Sequence, residues 1–238
     1  MLTSSKLILL PNVLDESLPA DPFLPSSVQT IVSQLDGLIA ESEKSARRYL
    51  RRFLSHERMA MLPLRLLNEH TSPKEKKALL EPILEGQTWG LLTDAGLPCI
   101  ADPGSDLVAA ARYFSIEVQG IPGPCSLLLA LQLSGFSGQQ FSFHGYLPRD
   151  AEELTQKVKE LEARSQRGET QIWIETPYRS AKMLEFLKNT LLPKTLLCVA
   201  ANLTTLQQKI GSYPVYQWRS FSFELGKEPA VFLTAKCS

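Results

Sequence analysis

The chain has 238 residues, 44% hydrophobic and 21% charged, with 25 Lys and Arg balanced by 25 Asp and Glu. That composition excludes disordered, collagen-like and coiled-coil architectures. Zero net charge withholds the broad positive field of an indiscriminate nucleic-acid binder and leaves room for a local basic patch only. No run of about 18 apolar residues occurs, and the early Leu7-Ile8-Leu9-Leu10 run is too short for a signal-peptide core, so the expectation is a cytoplasmic protein with no membrane span. Cys99, Cys125, Cys198 and Cys237 form no C-x-x-C pair and have no His at ligand spacing, which argues against a metal site and against a disulfide framework.

In chain order, short apolar runs alternate with helical patterns, the signature of βαβ units and an α/β fold class. Strands are expected at 6–10, 37–41, 88–93 and 115–120, with helices at 26–35, 45–54 and 74–84 between them. Ser72 and Glu75 have capping-box spacing around Pro73. The rigid Ile121-Pro122-Gly123-Pro124 stretch marks a change of character, placing an N-terminal domain at 1–120 and a C-terminal domain at 121–238. Beyond it the pattern predicts a helix over 125–133, a strand over 141–146, a helix over 152–163 and strands over 171–175 and 195–201. Residues 220–225 and 230–235 flank Gly226-Lys227-Glu228-Pro229 and read as a hairpin, so the second sheet is expected to be mixed.

Two loops can carry chemistry. Thr93 to Gly104 leaves a buried strand as a run of small residues, and Asp102-Pro103 reads as the N-cap and first position of a helix. Open α/β sheets bind ligands beyond the carboxyl ends of their strands, and Asp94 offers an acceptor to hydroxyl or ammonium donors. The second loop, Gly120 to Ser126, leads from a strand into a helix whose free N–H groups favour an acceptor. Each loop alone is equally explained by the needs of a strand-to-helix turn or a hinge. Phosphate-loop, dinucleotide, nucleophile-elbow and H-E-x-x-H patterns are all absent from the sequence.

Four motifs occur in order: Thr93-Asp94-Ala95-Gly96-Leu97-Pro98-Cys99-Ile100-Ala101-Asp102-Pro103-Gly104, Ile121-Pro122-Gly123-Pro124-Cys125-Ser126, Phe143-His144-Gly145-Tyr146-Leu147-Pro148-Arg149 and Ile174-Glu175-Thr176-Pro177-Tyr178-Arg179. Together, over about 68–203, they resemble the tetrapyrrole-methylase superfamily of S-adenosylmethionine (SAM)-dependent methyltransferases. Within it they are most similar to the branch that methylates cytidine 2′-hydroxyls of small-subunit ribosomal RNA, whose wording is SDAGTPGISDPG, PLPGPSA, FEGFLPR and YESPHR. The resemblance implies two α/β domains, a mostly parallel and a mixed sheet, SAM in the cleft between them and a homodimer. It also implies cofactor contacts at Pro11, Thr93, Asp94, Ala95, Ile100, Ala101, Asp102, Cys125, Ser126, Tyr146, Ile174 and Ala201.

Departures from that branch gather on the acceptor side. TPIGN becomes Leu10-Pro11-Asn12-Val13-Leu14, AEDTRHTRRLL becomes Ala40 to Leu50 without the Asp-Thr-Arg triplet, and ARELTK becomes Ala201-Asn202-Leu203-Thr204-Thr205. Methylation of a small molecule or tetrapyrrole, and SAM binding without catalysis, therefore stay open beside RNA methylation. Arg47, Arg48, Arg51 and Arg52 form two i,i+4 pairs on one expected helix, which serve either as an RNA phosphate surface or as a solvated face. A hydroxyl acceptor benefits from a base, and Glu175, Glu69, His70 and His144 are candidates. Glu175 leads because it ends a strand and is followed by Arg179, which either holds a phosphate or forms a structural ion pair with it.

Overall fold

The computed structural model describes residues 5–68 and 71–237. The chain divides into two compact α/β units, Met1–Cys125 and Ser126–Ser238.

In the first unit, strands β1 (Lys6–Leu10), β2 (Gly37–Ala40), β3 (Leu64–Leu66), β4 (Thr88–Leu92) and β5 (Glu117–Gly120) form a sheet in the order β3-β2-β4-β1-β5, parallel throughout. Parallel strands need crossovers, here supplied by α1 (Ser27–Ser33), α2 (Glu43–Leu50), α3 (His56–Met61), α4 (Pro73–Leu84) and α5 (Ser105–Tyr113). The period-2 alternation of β1 sorts its side chains between two cores. Ile8 and Leu10 pack with Val28, Val32, Tyr49 and Leu50 of α1 and α2, whereas Leu7 packs with Leu80, Ile83, Leu107 and Ala111 of α4 and α5. The α4 start carries the expected capping box: the Ser72 hydroxyl accepts from the Glu75 N–H at 3.3 Å, and the Glu75 carboxylate accepts from the Ser72 N–H at 2.8 Å.

This order places a topological switch between β1 and β4. From β1 the chain passes through α1 toward β2, and from β4 through α5 toward β5, the two helices lying on opposite faces of the sheet. Loops leaving such a pair diverge and open a crevice at the carboxyl edge.

The second unit has strands β6 (Phe141–Tyr146), β7 (Thr170–Glu175), β8 (Leu196–Ala201), β9 (Lys209–Pro214) and β10 (Ala230–Ala235), in the order β6-β7-β10-β8-β9. Only the β6–β7 pair is parallel among the described pairings, so the sheet is mixed. Helix α6 (Ser126–Ser134), α7 (Ala151–Gln166), α8 (Ser180–Thr190) and the short α9 (Val215–Trp218) complete the unit. Trp173 stacks on Phe232 at 5.9 Å in the core beneath α7 and α8. Among the described residues no helix is long and apolar enough to cross a membrane.

Two local expectations are corrected. Residues 220–225 do not form a hairpin arm: β10 is fully buried and has β7 and β8 on its two sides, leaving no free edge. The period-2 aromatics of that segment instead pack around Trp218, with Phe223 at 5.2 Å from it and Phe221 at 5.4 Å from Tyr213. The hairpin is β8–β9, whose second strand has no counterpart among the expected strands. Finally, the expected helix over 45–54 stops at Leu50. Backbone N–H groups of Arg52 and Phe53 reach back three residues to the carbonyls of Tyr49 and Leu50, and the tightened turn brings Phe53 to 5.0 Å from Tyr49.

Candidate functional site

Because the first sheet is parallel, the loops after β1, β2, β4 and β5 all leave from one edge. Their side chains join them. Buried Asn12, two residues past β1, donates from its carboxamide to the carbonyls of Thr93 (3.1 Å) and Asp94 (2.9 Å), while its own N–H donates to the Gly96 carbonyl at 2.8 Å. Ser42, the N-cap of α2, donates from its hydroxyl to Asp94 Oδ1 at 3.0 Å. The loop after β5 presses against the same turn: a Cβ on Gly123 would lie 2.1 Å from Pro11 Cβ, a separation no side chain tolerates.

Three carboxylates, Glu41, Asp94 and Asp102, gather there. The Thr93 hydroxyl lies 2.5 Å from Asp102 Oδ2 and 3.2 Å from Glu41 Oε2, and its single proton serves one of them at a time. Asp102 is not the helix N-cap expected from sequence. α5 starts at Ser105 behind Gly104, whose φ of +135° is open to glycine, and Asp102 turns inward to Thr93 instead. Cys99 and Ala101 also hold left-handed backbone, at φ 68° and 67°. Burial, with lesser contributions from Glu41 and Asp94, pushes the Asp102 carboxyl up to about 6 against the opposing Thr93 hydrogen bond. Its folded value lies above its unfolded one, so the proton favours the folded chain. That stabilisation is complete below the unfolded value of 3.8 and is lost as pH rises through about 6. Asp102→Asn is therefore expected to flatten this part of the stability profile and to raise stability at pH 8 by about 1 kcal/mol, a figure reduced for partial exposure. Urea unfolding across pH 4–8 measures it.

The sequence candidates fall into two groups, one per unit. Pro11, Thr93, Asp94, Ala95, Ile100, Ala101 and Asp102 occupy the loop cluster just described, Thr93 buried and Asp94, Ala95, Ile100 and Ala101 exposed, and Cys125 is the last residue of that unit. In the second unit Tyr146 pairs in register with Ile174, and Glu175 and Ala201 both pair with Ala230, so all four stand at the carboxyl edge of the second sheet. Ser126 opens α6. Asn12 and Ser42 stand where the sequence departs from the branch it resembles and Glu41 where it agrees, and Glu41 and Ser42 directly follow β2 at a ligand-binding edge.

Glu175 has a wholly buried side chain. Its Oε1 accepts from the Thr176 N–H at 2.7 Å, and its Oε2 faces the Arg179 guanidinium at 3.2 Å without hydrogen-bond alignment. Arg179 also donates to the Pro148 carbonyl at 3.2 Å. His144 is held by Gln171 at 2.8 Å, and burial lowers its pKa. Glu69 and His70 lie outside the described residues.

The four arginines separate as well. Arg47 pairs with Glu43, Arg48 with Glu16, and Arg52 donates to the Glu16 carbonyl; Arg51 caps α2 and is exposed. Among the described residues no group of three His, Cys, Asp or Glu side chains is placed to hold a metal ion.

Two sheets with joined loops at the switch point of the first define a two-unit α/β protein with a ligand-binding edge. The profile of the family Tetrapyrrole (Corrin/Porphyrin) Methylases matches residues 27–217, and the chain belongs to that family. It is 32% identical over 149 residues to the ribosomal RNA small subunit methyltransferase I of Vibrio cholerae, covering 63% of this chain and 51% of that protein. With the protein of the same name from Pasteurella multocida it shares 30% over 199 residues, 84% of this chain and 67% of the other. The chain thus spans about half the length of the Vibrio cholerae relative. Among solved structures, the methyltransferase CobJ superposes with a TM-score of 0.63 at 17% identity, covering 98% of this chain and 95% of that one. The conserved hypothetical protein APE0931 from Aeropyrum pernix K1 gives 0.69 at 14%, covering 99% and 86%. Both likenesses concern the fold.

Proposed function

We propose that this chain is a SAM-dependent methyltransferase acting on a 2′-hydroxyl of ribosomal RNA, working in the cytoplasm as a homodimer. The observation that carries the reading is the joined loop cluster of the first unit, which sets Asp94, Asp102 and Glu41 around a small-residue turn at the switch-point edge. Such an acceptor set fits a cation that also bears hydroxyl and ammonium donors, as SAM does. When bound, SAM supplies an activated methyl group. The chain's task is then to hold the acceptor oxygen in line with it at about 3–3.5 Å.

The names of the Vibrio cholerae and Pasteurella multocida relatives support the RNA substrate. Cys125, Ser126, Tyr146, Ile174 and Ala201 are proposed as further cofactor contacts. Arg47 and Arg51 are proposed to meet RNA phosphates, while Arg48 and Arg52 hold the 14–16 segment through Glu16. For Glu175 the buried contact with Arg179 favours the ion-pair expectation over the base.

Transfer of labelled methyl groups from SAM to ribosomal subunits of a strain lacking this protein tests the reading, alongside calorimetry of SAM binding. Label in ribosomal RNA is expected. Label in a small-molecule fraction, or SAM binding with no label anywhere, would overturn the substrate or the catalysis respectively.

A further inference from the structure

We infer that Asn12 is a positioning residue, which sets SAM affinity by fixing the backbone of the loop after β4 although it reaches the ligand through no atom of its own. The inference rests on the proposed function and adds to it the role of a residue, Asn12, that departs from the TPIGN wording of the branch the sequence resembles.

The argument begins with topology. At a switch point the chain leaves β1 and β4 toward opposite faces, so their two exits share no continuous ladder hydrogen bonding and would drift apart unless tied. A buried polar side chain is retained there only if its groups are satisfied, and those of Asn12 are. It is 5% exposed; both carboxamide hydrogens go to consecutive carbonyls of the β4 exit, at Thr93 and Asp94, and Oδ1 accepts from the Val13 N–H at 2.9 Å. The backbone N–H of Asn12 adds a fourth bond, to Gly96. Three of these four hydrogen bonds reach the β4 exit and fix the carbonyl directions on either side of Asp94, and with them the direction in which the exposed Asp94 carboxylate leaves the loop.

The neighbouring Pro11 makes the turn a wedge. The missing Cβ of Gly123 leaves space for Pro11, and a Cβ there would also stand 3.5 Å from Leu97 Cδ2 of the β4 loop. The loops after β4 and β5 are therefore referenced to the same two residues, and loosening Asn12 frees the β4 loop while the Pro11 contact still holds the other.

Asn12→Asp tests this. It keeps the shape and the Val13 bond, but replaces two donors by an acceptor facing two carbonyls. Calorimetric titration with SAM is expected to give an affinity at least tenfold weaker at an unchanged stoichiometry of one site per chain, and steady-state kinetics a raised KM for SAM with kcat within twofold. A merely structural role would instead lower the fraction of competent sites and leave the affinity of the remainder unchanged. That result, or equal affinity in both proteins, overturns the inference. Should Asn12→Asp fail to fold, Asn12→Ser, which retains an acceptor for Val13 and loses both amide donors, carries the same expectation. A wild-type chain that binds no SAM removes the proposed function and this inference together, whereas a wild type that binds and variants that bind equally well remove the inference alone.

Discussion

Asp94→Lys is expected to weaken SAM binding about hundredfold while leaving the unfolding midpoint within a few degrees of wild type. Asp94 is exposed, and its side chain makes one hydrogen bond, to Ser42 at 3.0 Å, so little stability depends on it. A lysine there also meets the carboxylates of Glu41 and Asp102, which offsets the loss of the Ser42 contact. Binding is affected differently. SAM carries one net positive charge, and at about 6 Å with an effective dielectric of about 20 a unit charge contributes about 3 kcal/mol. Reversal changes the charge by two units, but exposure and salt screen about half of the effect, leaving about 2.7 kcal/mol or a factor of about one hundred. The loss should shrink as ionic strength rises, which separates it from a steric effect. Titration calorimetry at two salt concentrations measures both quantities, and unchanged affinity would move the cofactor away from the β4 loop.

What was legible in the sequence divides along a physical line. Buried strands such as β4 and β8 announce themselves because both faces are covered, and the Ser72 capping box is a local pattern with a local cause. The 220–225 segment failed because its period-2 pattern is real but satisfied by an aromatic cluster at Trp218, and only knowledge that both sides of β10 were occupied could have told the two apart. Asp102-Pro103 failed in a similar way. A cap signature is local, whereas the pull of the Thr93 hydroxyl comes from across the loop. Asn12 and Ser42 escaped as site residues because their partners lie 82 and 52 positions away, beyond the range of any spacing argument. Within the arginine cluster, type and spacing were visible from the start. Which guanidiniums are engaged depended on Glu16, a residue of a different loop.

Glu175→Gln is expected to lower the unfolding free energy by about 3 kcal/mol and to leave methyl transfer within a fewfold of wild type. The carboxylate is wholly enclosed: its Oε1 accepts from the Thr176 N–H, and its Oε2 faces the Arg179 guanidinium at 3.2 Å. Its physical effect is on the turn after β7: the carboxylate fixes the Thr176 N–H at the strand end, and Arg179 extends the link to the Pro148 carbonyl. Glutamine keeps the volume and one acceptor but leaves the guanidinium without its counter-charge. Removing one partner of a buried pair costs about 3–5 kcal/mol, and the lower end applies because the Arg179 side chain is 26% exposed. The double variant Glu175→Gln, Arg179→Met should recover part of the loss, since neither charge is then left alone. Denaturant unfolding of the three proteins beside their transfer rates decides the matter. A rate reduced by about 10²-fold or more with stability unchanged would restore Glu175 as the base.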